Sequence, residues 1–113
     1  NGFRSKSFKK FDDKEINILF AGCSITQGVC LPEDQCWYRK FIYKLEKDFP
    51  NKKISFYNLS INGGGYETIF KNILTFINTV GKPNFIFCLF PNIGREIRWC
   101  DDSYRNLHYY ENE

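Results

Sequence analysis

The sequence contains no methionine, one histidine and no Cys-x-x-Cys pair. A chain that starts at Asn1 without any methionine reads as a piece cut from something longer. With His108 as its only histidine and cysteines at 23, 30, 36, 88 and 100, it has no zinc-finger pattern. The odd cysteine count and irregular spacing also argue against a secreted disulfide framework and favour a reducing, cytoplasmic setting. Long apolar runs are missing too. The longest, Phe85 to Phe90, falls far short of the roughly 20 residues that a membrane-spanning helix needs. Charge of one sign is scarce: the net charge is +3, and the basic cluster Arg4, Lys6, Lys9 and Lys10 is followed at once by Asp12, Asp13 and Glu15. A nucleic-acid partner would call for a clustered basic face. Residues 1–14 are therefore expected to be a solvated polar linker or lead-in rather than a nucleic-acid arm, and residues 15–113 the folded part.

The chain is rich in what builds a core. Hydrophobic residues make up 42% of its 113 residues and aromatics 19%, enough for a domain that buries roughly two-thirds of its unfolded surface. Ile16 to Gly22 is a short apolar run ending in glycine, the pattern of a buried parallel strand. Ser24 to Gln35, with Gly28 and Pro32, reads as loop or broken turn. Cys36 to Phe49 repeats Trp37, Phe41, Leu45 and Phe49 at i+4, with Tyr38 and Ile42 alongside and lysines opposite, which predicts an amphipathic helix stopped by Pro50. Ile54 to Leu59 is a second strand and Glu67 to Val80 a second helix. Phe85 to Phe90 is a third strand, the most apolar, stopped by Pro91. Alternating strands and helices with short connections predict an α/β fold, a parallel sheet with helices on both faces.

In such sheets ligands bind beyond the carboxyl ends of the strands, and all three ends carry polar or glycine-rich sequence. At the first, Ser24 directly follows a buried strand, a rigid mount with a free approach path that suits a nucleophile. At the second, Asn62-Gly63-Gly64-Gly65 allows backbone N–H groups to approach a ligand closely. At the third, Asn92 offers an amide donor that does not titrate. Taken singly, the three also fit a capping serine, a flexible connection and a Pro-Asn turn. Asn58-Leu59-Ser60 is formally a glycosylation sequon, accidental at a strand end. Other signatures fail on residues. Gly28 is followed by Val29 and not by the Lys-Ser/Thr of a phosphate-binding P-loop. No G-x-G-x-x-G is present, and Thr26 occupies the second glycine position of a G-x-S-x-G elbow.

Taken together, the three blocks resemble the SGNH (GDSL-like) hydrolase family over residues 16–98. Gly22-Cys23-Ser24-Ile25-Thr26-Gln27-Gly28 resembles the first block, with Ser24 at the nucleophile position. Asn58-Leu59-Ser60-Ile61-Asn62-Gly63 resembles the second, with Gly63 supplying an oxyanion-hole amide, and Asn92 resembles the asparagine of the third. The resemblance implies a flavodoxin-like three-layer α/β/α fold and a serine esterase or acyl hydrolase working through an acyl-Ser24 intermediate. It implies small acyl esters or acylated carbohydrate as substrates, and no metal or organic cofactor. Cys23 replaces the usual Asp of the first block, and Phe90 and Ile93 replace the residues that flank the third-block Asn. The fourth block, Asp-x-x-His, is not found: Arg105 stands three residues before His108, which reads as a surface residue of a connecting segment. The missing block is expected downstream of Glu113, and the 113-residue piece is expected to be inactive by itself. The alternatives are a catalytically inactive SGNH-like binding or structural module, and a flavodoxin-like nucleotide-binding domain.

Overall fold

The computed structural model describes the backbone of residues 3–92, 95–100 and 103–108, and side chains over 3–92. Strand β1 (Ile16–Gly22) lies at the centre of a three-stranded parallel sheet, between β2 (Ile54–Asn58) and β3 (Phe85–Leu89). The centre demands a strand that is apolar on both faces, and Ile18, Leu19, Phe20 and Ala21 are all buried. Alternate residues then serve opposite layers. Ile18 and Phe20 pack with Tyr38 and Ile42 of helix α2 (Trp37–Asp48). Leu19 and Ala21 pack with Ile69, Ile73 and Phe76 of helix α3 (Tyr66–Thr79).

The order β2-β1-β3 means that the chain leaves β1 to one side and crosses back over it to reach β3. Two crossovers of one hand that run in opposite directions put their helices on opposite faces. This is the three-layer α/β/α arrangement expected from the sequence, with the switch in strand order between β1 and β3, where such sheets open a crevice. The buried stripe of α2 runs through Tyr38 and Ile42, with Trp37, Phe41 and Leu45 on its flanks, and Phe49 lies outside the helix and exposed.

Three features differ from the sequence-based expectation. The segment Ser24 to Gln35 is not simply loop: it holds a short helix α1 (Ser24–Gln27) and a 3-10 turn at Glu33–Gln35. The lead-in is not solvated. Phe3, Phe8 and Phe11 pack against the α3-side core, with Phe8 edge-on to Tyr57 and Phe76 at 5.2 and 5.3 Å. Aromatic burial here outweighs the charge pattern, because Lys9 and Lys10 between the phenylalanines, and Asp12 and Asp13 after them, stay exposed. The third strand forms where expected, at Phe85–Leu89. It lies at the sheet edge, and Phe85, Ile86 and Leu89 are each more than two-fifths exposed. Beyond it, strands β4 (Arg95–Cys100) and β5 (Ser103–His108) form an antiparallel hairpin where a connecting segment was expected.

Candidate functional site

The carboxyl end of β1 is built around a glycine for a steric reason. A Cβ on Gly22 would fall 2.8 Å from the Leu89 carbonyl oxygen and against the Thr26 hydroxyl, so only a bare Cα fits between β3 and α1. Cys23, buried and extended, is the N-cap residue of α1, and Ser24 is its first helical residue. Ser24 is therefore not the cap that its residue type suggests. Gly28 closes α1 in the left-handed region at φ 72°, and its N–H donates to the carbonyls of Ser24 at 2.9 Å and Ile25 at 3.3 Å. A side chain at Gly28 would also strike Cys36 Sγ. The Ser24 side chain is half-buried and forms no hydrogen bond among the described residues. Its hydroxyl is thus available at the end of the central strand.

The second strand end is tied to the first. The Ile61 N–H donates to the Gly22 carbonyl at 3.2 Å, which sets the loop carrying Gly63 beside the turn carrying Ser24. Gly63 sits at φ 75°, a conformation that glycine adopts without steric cost. The residue that holds the two turns together is Asn58, 1% exposed. Its Nδ2 donates to the Thr26 carbonyl at 3.1 Å, and its Oδ1 accepts the Ser60 N–H at 3.0 Å and the Ser60 hydroxyl. Sequence reasoning passed over Asn58 as an accidental sequon. The available signal was the spacing Asn-x-Ser, which lets an Asn side chain bond the backbone two residues on. With every polar atom committed or enclosed, Asn58 cannot carry a glycan in the folded protein. Asn58→Ala strips partners from the Thr26 carbonyl and from Ser60, all buried. Urea denaturation is expected to show a loss of about 2–4 kcal/mol, with faster hydrogen exchange at the Ser60 amide. An unchanged midpoint would mean that the network does not bear on stability.

A second positioning residue, Arg4, was read as part of a solvated charge cluster. Its Nη1 donates to the carbonyls of Gln27 at 3.2 Å and Gly28 at 2.6 Å, and its Nη2 donates to Leu31 at 2.7 Å. A guanidinium fork suits several acceptors at the end of a short helix, where carbonyls lack intrahelical partners. The lead-in therefore clasps the far end of the helix that Ser24 begins.

At the third end, Pro91 is buried and Asn92 is exposed, without a hydrogen bond among the described residues. The strand register and the Gly22–Leu89 approach put this end at the same sheet edge as Ser24. Phe90 turns outward and stacks on Tyr66 at 5.0 Å and 9°, with Phe70 at 5.5 Å. The thiol of Cys88, one position before the end of β3, is pushed above its ordinary range by burial and then by the neighbouring Cys23, which keeps it protonated and unreactive. Burial, followed by the charge of Glu33, likewise raises the Tyr38 phenol beneath α1. No cluster of three or more His, Cys, Asp or Glu side chains able to hold a metal occurs among the described residues. No helix among them is long and apolar enough to cross a membrane. His108 falls at the end of β5, opposite Arg95. Its side chain, and those of Arg95, Glu96, Arg98 and Trp99, lie outside the described residues. The chain matches no protein-family model, no curated protein and no solved structure.

Proposed function

We propose that this chain carries the nucleophile and oxyanion elements of an SGNH-type serine ester hydrolase. The observation that supports this most is the joining of strand ends: Ser24 and Gly63 stand on turns linked by the Ile61–Gly22 hydrogen bond, at the crevice edge where β3 delivers Asn92. In the proposed reaction Ser24 Oγ attacks the carbonyl carbon of a small acyl ester. The carbonyl oxygen takes up the negative charge and accepts hydrogen bonds from the N–H groups of Ser24 and Gly63 and the amide of Asn92. Collapse of this tetrahedral species expels the alcohol and leaves acyl-Ser24, which water then hydrolyses to the free acid. The Ser24 proton requires an imidazole base. The resemblance assigns that base to an Asp-x-x-His block that residues 1–113 do not contain, so the proposal concerns the protein that carries the block. Short acyl groups, including acetyl groups on carbohydrate, are the substrates proposed.

The test is covalent. The intact protein treated with an alkyl fluorophosphonate is expected to gain one adduct, which peptide mass spectrometry places on Ser24, because only an activated serine displaces fluoride readily. An adduct on another residue, or an unmodified protein, would count against the reading.

A second reading has its own observation. The positions flanking Ser24 and Asn92 hold a buried Cys23 and an exposed Phe90 that stacks on Tyr66. In a catalytically inactive module of the same fold, these aromatics would offer a binding platform, and the intact protein would leave esters and fluorophosphonates untouched.

A further inference from the structure

Outside the crevice, a cavity of about 530 Å³ is lined by Arg4, Ser5, Lys6, Glu33, Arg39 and Phe56. It lies between the lead-in, the 3-10 turn, α2 and the outer strand β2. Three cationic side chains face one carboxylate there, so the cavity carries a positive excess in partly desolvated surroundings. That excess comes largely from the basic cluster of residues 1–14, for which the hydrolase reading has no use.

Arg39 is the telling member. Its guanidinium lies 4.7 Å from the ring centre of Tyr43 and 5.1 Å from that of Phe56. Contact with two rings restrains the guanidinium while leaving its N–H donors without an acceptor among the described residues. Arg39 is half-buried, and its side chain makes no hydrogen bond or ion pair among the described residues. A half-buried, pre-oriented fork without an acceptor is the arrangement that receives a carboxylate or phosphate through two parallel bonds. Arg4 holds the cavity wall through its bonds to Gln27, Gly28 and Leu31, and Lys6, bonded to Ser55 Oγ at 3.4 Å, adds charge at the rim. Glu33 offers an acceptor for a ligand hydroxyl and disfavours a bare polyanion.

We infer that this cavity binds a small, sugar-sized molecule bearing one phosphate or carboxylate group, with the oxyanion on Arg39 and its body over Phe56. The volume lies within the range of small-molecule sites and exceeds what a bare oxyanion fills. The inference does not depend on Ser24, and Ser24→Ala is expected to leave this binding unchanged.

Calorimetric titration of the intact protein at low ionic strength, with inorganic phosphate in one arm and acetate in the other, identifies which oxyanion the fork takes. Arg39→Gln is expected to weaken binding roughly ten- to a hundredfold, the effect of losing a charge-assisted pair. Arg39→Lys keeps the charge without the fork and is expected to fall between. Should Arg39→Gln fail to fold, NMR titration of the wild-type protein decides: phosphate or acetate must shift the Arg39 side-chain Nε resonance. The inference is overturned if neither anion binds, if Arg39→Gln binds as the wild type does, or if Arg39 Nε does not respond. Tighter binding of a mixed-sequence DNA oligonucleotide than of either anion, with steep salt dependence, would equally overturn it in favour of a nucleic-acid surface.

Discussion

Ser24→Ala in the intact protein is expected to lower kcat on a short-chain activated ester by roughly 10⁴- to 10⁶-fold, the scale of removing a serine nucleophile. The fold should not suffer. The hydroxyl caps no helix and makes no hydrogen bond among the described residues, so the cost in stability should stay within about 0.5 kcal/mol. The contrast between lost turnover and an unchanged urea midpoint separates a chemical role from a structural one. Asn92→Ala provides an internal scale, since one oxyanion donor is worth about 10²- to 10³-fold. Asn92 is exposed, and its loss should also leave the fold intact. Equal turnover by wild type and Ser24→Ala would remove Ser24 as the nucleophile.

The largest expected effect on stability lies on the other face of the same strand. Phe20 is fully buried at the centre of an aromatic group: Trp37 at 5.4 Å, Tyr38 at 5.6 Å, Phe87 at 5.9 Å, Phe41 at 6.0 Å and Phe56 at 6.3 Å between ring centres. These rings come from α2 and from both neighbouring strands. Phe20→Ala therefore opens a cavity between the sheet and α2 that no single element can collapse to fill. A loss of about 3–5 kcal/mol is expected, against a total of about 5–15 kcal/mol for a domain. Phe20→Leu, which keeps most of the volume, should cost less than about 1.5 kcal/mol. Urea melts with an unchanged slope and a shifted midpoint would record this. A shift of less than 1 kcal/mol for Phe20→Ala would mean that the neighbouring rings close the gap.

Elements that bury a repeating face were legible in the sequence. β1 and α2 announce themselves because Ile18 to Ala21 form an unbroken apolar run and because Trp37, Phe41 and Leu45 recur at helical spacing. α1 was not legible, since four residues are too few to show a period. Its closure depends on the left-handed Gly28 and on Arg4, which lies far off in the chain. β3 was legible as a strand but its place was not, since hydrophobicity reports a preference for burial and says nothing about which strand becomes an edge. Among the candidate site residues, Ser24 and Gly63 stood out because a polar residue or glycine after an apolar strand breaks a pattern. Asn58 broke none, and its role exists only once β2 and α1 are side by side. Arg39 gave no signal of its own, because neither Phe56 nor the lead-in is its neighbour in sequence.

The central position of β1 also governs the order in which the protein can be made. Of the three strands of this sheet, the one that ends in the middle is made before the other two, and its β3 edge is closed by residues far downstream. The Asn17 N–H meets Asn84 Oδ1 at 2.7 Å across a sequence separation of 67. Parallel pairing over such separations is slow, because the loop entropy is spent before any contact is gained. Until Phe85 emerges, Ile18 to Ala21 have one open flank and a strong tendency to associate with other chains.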